Sequence, residues 1–195
     1  MATMAAGRSG PARLAPLSPQ RKWRAIALAT VLLAPAIWVL LAGLVAVAAD
    51  DGPSGGAAAA AIAFGLSVLP FVFIVLAFTS EQPNAPRAAV RAMGLCLLVG
   101  IPVSALAGDA VSGIVAGLGA GGIAALRADV EDAVRPRIVA LAVATAYTFV
   151  LARVAGPAVL IAAPVFPFTS LGLADHWTEW RRERRGQSEQ PLGGG

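Results

Sequence analysis

Two stretches of this 195-residue chain contain residues whose types and spacing could do chemistry. The single histidine, His176, follows Asp175 in "DHWTEWRRERR", and a neighbouring carboxylate can orient an imidazole for acid–base work. No second histidine and no nucleophile in a recognisable setting accompanies it. Trp177 and Trp180 suit the headgroup layer of a bilayer instead, and Arg181, Arg182, Arg184 and Arg185 each add roughly 1 kcal/mol of attraction to an anionic leaflet. The segment therefore reads as an interfacial anchor, with a basic handle for a protein partner as the alternative.

The second stretch, "GIVAGLGAGG" from Gly113 to Gly122, fits two patterns. Gly117, Gly119 and Gly122 match the G-x-G-x-x-G of a dinucleotide-binding turn, while Gly113, Gly117 and Gly121 match the four-residue spacing of closely packed membrane helices. A dinucleotide turn needs a preceding strand, a following helix and an acidic residue about 20 positions on. Here the charged Arg127 follows almost at once, and the acidic position falls near Val139, inside an apolar run. The nucleotide reading fails on that context.

Other chemistry is as sparsely supplied. Ser67, Ser104 and Ser112 lie in or beside apolar runs, but an intramembrane serine nucleophile would need a histidine on another span. A metal centre would need clustered ligands that the spans lack, and Cys96 is the single cysteine, so no intramolecular disulfide can form. The expectation is a non-enzymatic protein without cofactor or metal.

The elements that would position these residues are apolar. Hydrophobic residues make up 57% of the chain, charged residues 13%, and mean hydropathy is +0.74, which places it in the membrane class. A net charge of +4 comes from basic residues that flank apolar runs, and no basic-aromatic module for nucleic acid stands apart from them. A polar arm, residues 1–24, reads as disordered and ends in Arg21, Lys22 and Arg24. Six apolar runs follow, at 25–49, 57–79, 92–108, 110–126, 138–156 and 157–174, each about as long as the roughly 17 to 25 residues that a span needs. Residues 175–195 form the basic interfacial segment and a flexible tail. The first run could be a signal peptide, with Ala46-Val47-Ala48 as its cleavage site, but a signal core has only roughly 7 to 15 apolar residues, so an uncleaved anchor is expected.

Basic residues orient these spans. With the N-terminus inside, the cytoplasmic side receives the N-terminal cluster, Arg87, Arg91, Arg127, Arg135, Arg137 and the arginines after Trp180, and the opposite side receives Asp50, Asp51, Asp109 and Arg153. The expected fold is an all-α integral membrane protein, a small bundle of six transmembrane helices with both termini in the cytoplasm, multi-pass in the cytoplasmic membrane. Its partners are the lipid bilayer and anionic headgroups.

In the fourth run, Ala120, Gly113, Ala124, Gly117, Ala110 and Gly121 fall in one sector roughly 100° wide when residues are placed at about 100° intervals. Ile114, Leu118, Val111, Val115 and Leu126 occupy the next sector. Lipid tails are as apolar as Leu, so helices gain by close approach at small residues rather than by hiding Leu. The small face should pack against a neighbour, either in this chain or in a homo-oligomer or membrane-protein partner. Asp109, just before this run, reads as its N-cap, with an ion pair to Arg153 across the outer loops as a further possibility. Pro35, Pro70, Pro102, Pro164 and Pro167 should kink or break helices. "APVFPF", 163–168, is the best place for unwinding, with Thr169 and Ser170 to satisfy freed carbonyls, and broken helices of this kind suggest a small transporter as the alternative function.

The stretches "VLPFVFIVLAFTSEQPNAP", "AMGLCLLVGIPVSALAGDAVSGIVAGLGAGGIAALRAD" and "APVFPFTSLGLADH" together resemble a group of small, uncharacterised polytopic membrane proteins of GC-rich actinobacteria. The resemblance covers the second through last spans. It implies an inner-membrane protein and brings no activity, substrate or site residues.

Overall fold

The computed structural model describes residues 17–48, 55–128, 133–155, 159 and 163–188, and the described residues form helices without strands. In chain order they are α1 (Pro19–Ala48), α2 (Gly55–Thr79), α3 (Ala85–Ala107), α4 (Ala110–Ala125), α5 (Val134–Ala155) and α6 (Phe166–Ser188). Four of them, α1, α2, α3 and α5, are long and apolar enough to cross a membrane. Val90, Leu98, Ile101 and Leu106 on α3 and Val139, Val143, Val150 and Val154 on α5 are well exposed. Apolar faces of that extent suit lipid rather than water.

The helices start earlier than the apolar runs wherever basic residues precede them. α1 starts at Pro19, α3 at Ala85 and α5 at Val134, so Lys22, Arg91 and Arg137 are helical. An apolar window marks the part of a helix suited to hydrocarbon, whereas the backbone ladder continues until something stops it. Pro19 and Pro86 stand in the first turns of α1 and α3, where a missing N–H costs nothing.

The sixth run departs most from expectation. The helix described there is not 157–174: it begins at Phe166, after a turn at 163–165, and continues without a break through the charged segment to Ser188. The tail expected to be flexible is therefore helical as far as Ser188, and residues 189–195, like 1–16 of the basic arm and the loop aspartates Asp50 and Asp51, lie outside the described residues. Pro164 disfavours helix at Ala163, and Pro167 is tolerated in the first turn of α6, so the two prolines set where the helix starts rather than kinking its middle. The Ser170 hydroxyl donates to the Pro167 carbonyl at 2.8 Å, the local satisfaction expected there.

α4 is the axis of the bundle. Eight consecutive residues, Val115 to Gly122, are buried, so over two turns no side of this helix is open. α3 and α4 form an antiparallel hairpin. Gly108 ends α3 in the left-handed conformation at φ 66°, donating its N–H to the Ser104 carbonyl. Asp109 then starts α4, its Oδ1 accepting from the Ser112 N–H at 2.7 Å and its Oδ2 from the Ser112 hydroxyl at 2.8 Å. α1 packs on α2, and its Ala25, Ala29, Leu33, Ile37 and Leu40, spaced three and four residues apart as on one helix face, turn inward to the shared core of the bundle. Gly43 and Gly65 let these two backbones approach, since a Cβ on either would lie 3.0 Å from a carbonyl oxygen of the other helix.

Candidate functional site: a buried charge cluster at one end of the bundle

The small face of α4 is filled by α3. A Cβ at Gly117 would lie 2.6 Å from the Cys96 carbonyl and 3.0 Å from the Gly100 Cα; one at Gly113 would lie 2.6 Å from the Gly100 carbonyl and against Ser104. One at Gly121 would meet Phe73 and, at 2.8 Å, the Ala92 carbonyl. Ala120 is buried, Ala124 half-buried and Ala110 exposed. The neighbour at the three glycines is therefore the same chain, α3 along their length and Phe73 of α2 beside Gly121. Gly119 and Gly122, outside the small sector, are as tightly used: the first faces Leu141 of α5 and the second Phe168 and Leu171 of α6. α4 needs small residues all round because it has neighbours all round.

The last carbonyls of α4 form the floor of a polar cluster. Helix C-termini leave carbonyls without intrahelical donors and carry partial negative charge. Here Gln82 Nε2 donates to the Ala124 carbonyl at 3.4 Å and the Ser80 hydroxyl to the Ala125 carbonyl at 3.2 Å. Arg137 takes the next two, Nη1 donating to the Leu126 carbonyl at 3.0 Å and Nη2 to the Arg127 carbonyl at 2.8 Å. The same guanidinium donates to Asp175 through Nε at 2.7 Å and Nη2 at 2.6 Å. Arg137 is 1% exposed and Asp175 4%, so this two-bonded pair is out of water.

Two further charges complete the balance. Lys22 Nζ, itself buried, lies 3.6 Å from Asp175 Oδ2 and donates to Glu179 Oε1 at 2.7 Å. Arg137 and Lys22 thus face Asp175 and Glu179, two cations against two anions. At the rim, Glu81 pairs with Arg21 and lies 3.7 Å from Arg127 Nη1. Removing two charges from water costs several kcal/mol per ion unless geometry and extra hydrogen bonds compensate, and this site supplies both.

No protein-family model, curated protein or solved structure matches this chain. The role of the cluster follows from its geometry alone. It joins α1, the end of α2, the end of α4, the start of α5 and the middle of α6, and both carboxylates are occupied by cations. Asp175 is accordingly no orienting acid for His176, whose side chain is exposed; adjacent helical residues do not face each other.

Around the cluster, Trp177 and Trp180 are exposed with ring centroids 5.3 Å apart, and Arg181 and Arg184 lie over them at 5.0 and 3.9 Å respectively. Arg182 and Arg185 are exposed beside them. At the opposite end Arg153 does not pair with Asp109. Its Nη2 donates to the Ala107 carbonyl at 3.0 Å and its guanidinium lies over Phe149, while both Asp109 oxygens cap α4. The helix end outcompetes the arginine because the cap is made locally, within three residues.

Proposed function

We propose that the protein is a non-enzymatic structural or accessory component of the cytoplasmic membrane, crossing it six times with both termini inside. The observation that carries this is the interior: a Gly/Ala helix fills the centre with backbone-close contacts, and the one buried ionic cluster among the described residues is neutral and internally occupied. A transporter needs a polar, water-accessible cavity, whereas the grooves beside α4 are lined by residues such as Leu40, Leu69, Leu97 and Ile114 or Val99, Leu141 and Val150.

Support for six crossings comes from which residues share an end. Lys22, Glu81, Arg127, Arg137 and Asp175 meet at one end and Ala107, Asp109 and Arg153 at the other. α4, at 16 residues, is roughly 24 Å long, shorter than a hydrocarbon core of about 30 Å. Its caps nevertheless sit at both ends, and its neighbours shield it. Between Arg153 and Asp175 the chain returns to the first end, with α6 starting at Phe166 after a turn at 163–165. That turn inside the last apolar run is what favours the second reading, a small transporter with a broken helix.

Crosslinking and co-purification from the native membrane separate the two. A stable membrane-protein partner, contacting the outward faces of α3 or α5, is the expected result. A protein isolated alone that moves a solute across liposomes would replace the accessory reading with the transporter.

A further inference from the structure

The groove between α5 and α6 differs from the other two. It has a volume of about 950 Å³, and its rim carries Arg135 and Arg181, whereas no charged residue lines the grooves of about 230 and 540 Å³. Arg135 makes no hydrogen bond or ion pair among the described residues, and Arg181 has its guanidinium over the Trp177 ring. Both side chains are exposed. The contrast with Arg137 and Lys22 is one of charge: those inward cations are matched by carboxylates, whereas among the described residues no carboxylate pairs with Arg135 or Arg181.

Below that rim the groove is apolar. Val139, Val143 and Tyr147 lie in register on α5, facing Leu173 on α6. The two hydroxyls on the α6 wall are already spent on their own helix, Ser170 donating to the Pro167 carbonyl and Thr178 to the Asp175 carbonyl. Tyr147 closes the far end, edge-on to Phe166 at 5.8 Å. At ~1.5 Å per residue, Arg135 and Tyr147 are about 18 Å apart along the helix, close to the ~15 Å of one hydrocarbon leaflet. Trp177 sits at the level of the arginines, as a headgroup-layer residue would.

We propose that this groove binds one anionic diacyl phospholipid, its phosphate held between Arg135 and Arg181 and one acyl chain lying along Val139, Val143 and Tyr147. The proposal rests on the membrane reading above. It differs from general attraction of basic residues to an anionic leaflet in being a single site with a depth, a length and a defined pair of phosphate donors.

The test uses the full chain in detergent, given equal amounts of phosphatidylglycerol and phosphatidylcholine and examined by native mass spectrometry. One retained phosphatidylglycerol is expected, at least tenfold over phosphatidylcholine. R135A/R181A should lower that retention at least tenfold, as should V143W, which fills the groove. R87A/R91A, which removes exposed arginines of α3, should leave it unchanged. Both groove arginines are exposed, and an unshifted unfolding midpoint in lipid-free detergent checks that R135A/R181A folds. Equal retention of the two lipids, wild-type retention by R135A/R181A, equal loss in R87A/R91A, or a protein dimer in place of the lipid adduct overturns the site. A wild-type chain that resists alkaline carbonate extraction but keeps no phosphatidylglycerol overturns the groove alone; a chain released by carbonate overturns the membrane reading as well.

Discussion

Arg137 and Asp175 face each other across α5 and α6 through two parallel hydrogen bonds of 2.7 and 2.6 Å, and the same guanidinium closes the end of α4. One side chain therefore decides where three helices meet. Removing one member of a buried pair leaves the other charge without compensation, at a cost of about 3–5 kcal/mol. Asp175→Asn should accordingly lower the unfolding midpoint in detergent steeply. Arg137→Met with Asp175→Leu should lower it less than either single change, because Lys22 keeps Glu179 and no charge is left stranded. A double variant as unstable as the sum of the singles would show that the α4 carbonyls, rather than the ion pair, set the cost.

Arginine's planar fork is also what lets one residue serve two carbonyls and a carboxylate. Arg137→Lys keeps the charge but has a single nitrogen to offer. It should fall closer to Asp175→Asn than to wild type in thermal stability, whereas Lys22→Arg, which keeps a cation beside Glu179 and Asp175, should be tolerated.

Much of this was present in the sequence in a form that charge counting passes over. Lys22 continues the buried seam of Ala29, Leu33 and Ile37 on α1; Asp175 follows Phe168 and Leu171 on α6; Arg137 precedes Leu141 and Thr148 on α5. A charge in register with a buried stripe is a candidate for an internal pair, yet counted only by side of the membrane these residues look like markers of orientation. The all-helical class, the α4 cap at Asp109 and the small face of α4 were legible because each is local or periodic. The Gly43–Gly65 approach of α1 and α2 was not, since an isolated glycine has no period. Nor was the start of α6 at Phe166, because hydropathy averages composition and does not register where the backbone ladder begins.

The glycines of α4 and α3 make opposite predictions. Gly117→Ala puts a methyl 2.6 Å from the Cys96 carbonyl, a clash with backbone that neither helix can relieve by a rotamer change. Overpacking of that kind costs about 1–3 kcal/mol, and Gly117→Leu should abolish a monodisperse detergent-solubilised species. A methyl group at Gly94 would meet nothing within 4 Å, and Gly94→Ala should raise stability by up to about 1 kcal/mol through helix propensity. Wild-type behaviour of Gly117→Leu in size exclusion and thermal melts would contradict the α3–α4 contact.

Asp109 acts through the N-terminus of α4 and not through Arg153. Asp109→Ala should cost about 1 kcal/mol, and Asp109→Ser, which keeps a capping oxygen, only a fraction of that. The exchange of Asp109→Arg with Arg153→Asp should be no more stable than Asp109→Arg alone, because the arginine's partner is the Ala107 carbonyl. Rescue by the exchange in a thermal melt would restore the outer ion pair.

The last crossing carries the topological claim. α5 ends beside α3's C-terminus, and Asp175 lies beside Lys22 at the start of α1, so a C-terminal reporter should read the same side as an N-terminal one. Green fluorescent protein fused after Gly195 should fluoresce and alkaline phosphatase there should be inactive, while phosphatase inserted after Gly108 should be active. Active phosphatase at both positions would mean that the segment between Arg153 and Asp175 does not return across the bilayer. Lys22 and Asp175 could not then meet. The stability loss expected of Asp175→Asn would have to vanish in the same protein, so the two measurements bear on one geometry from different directions.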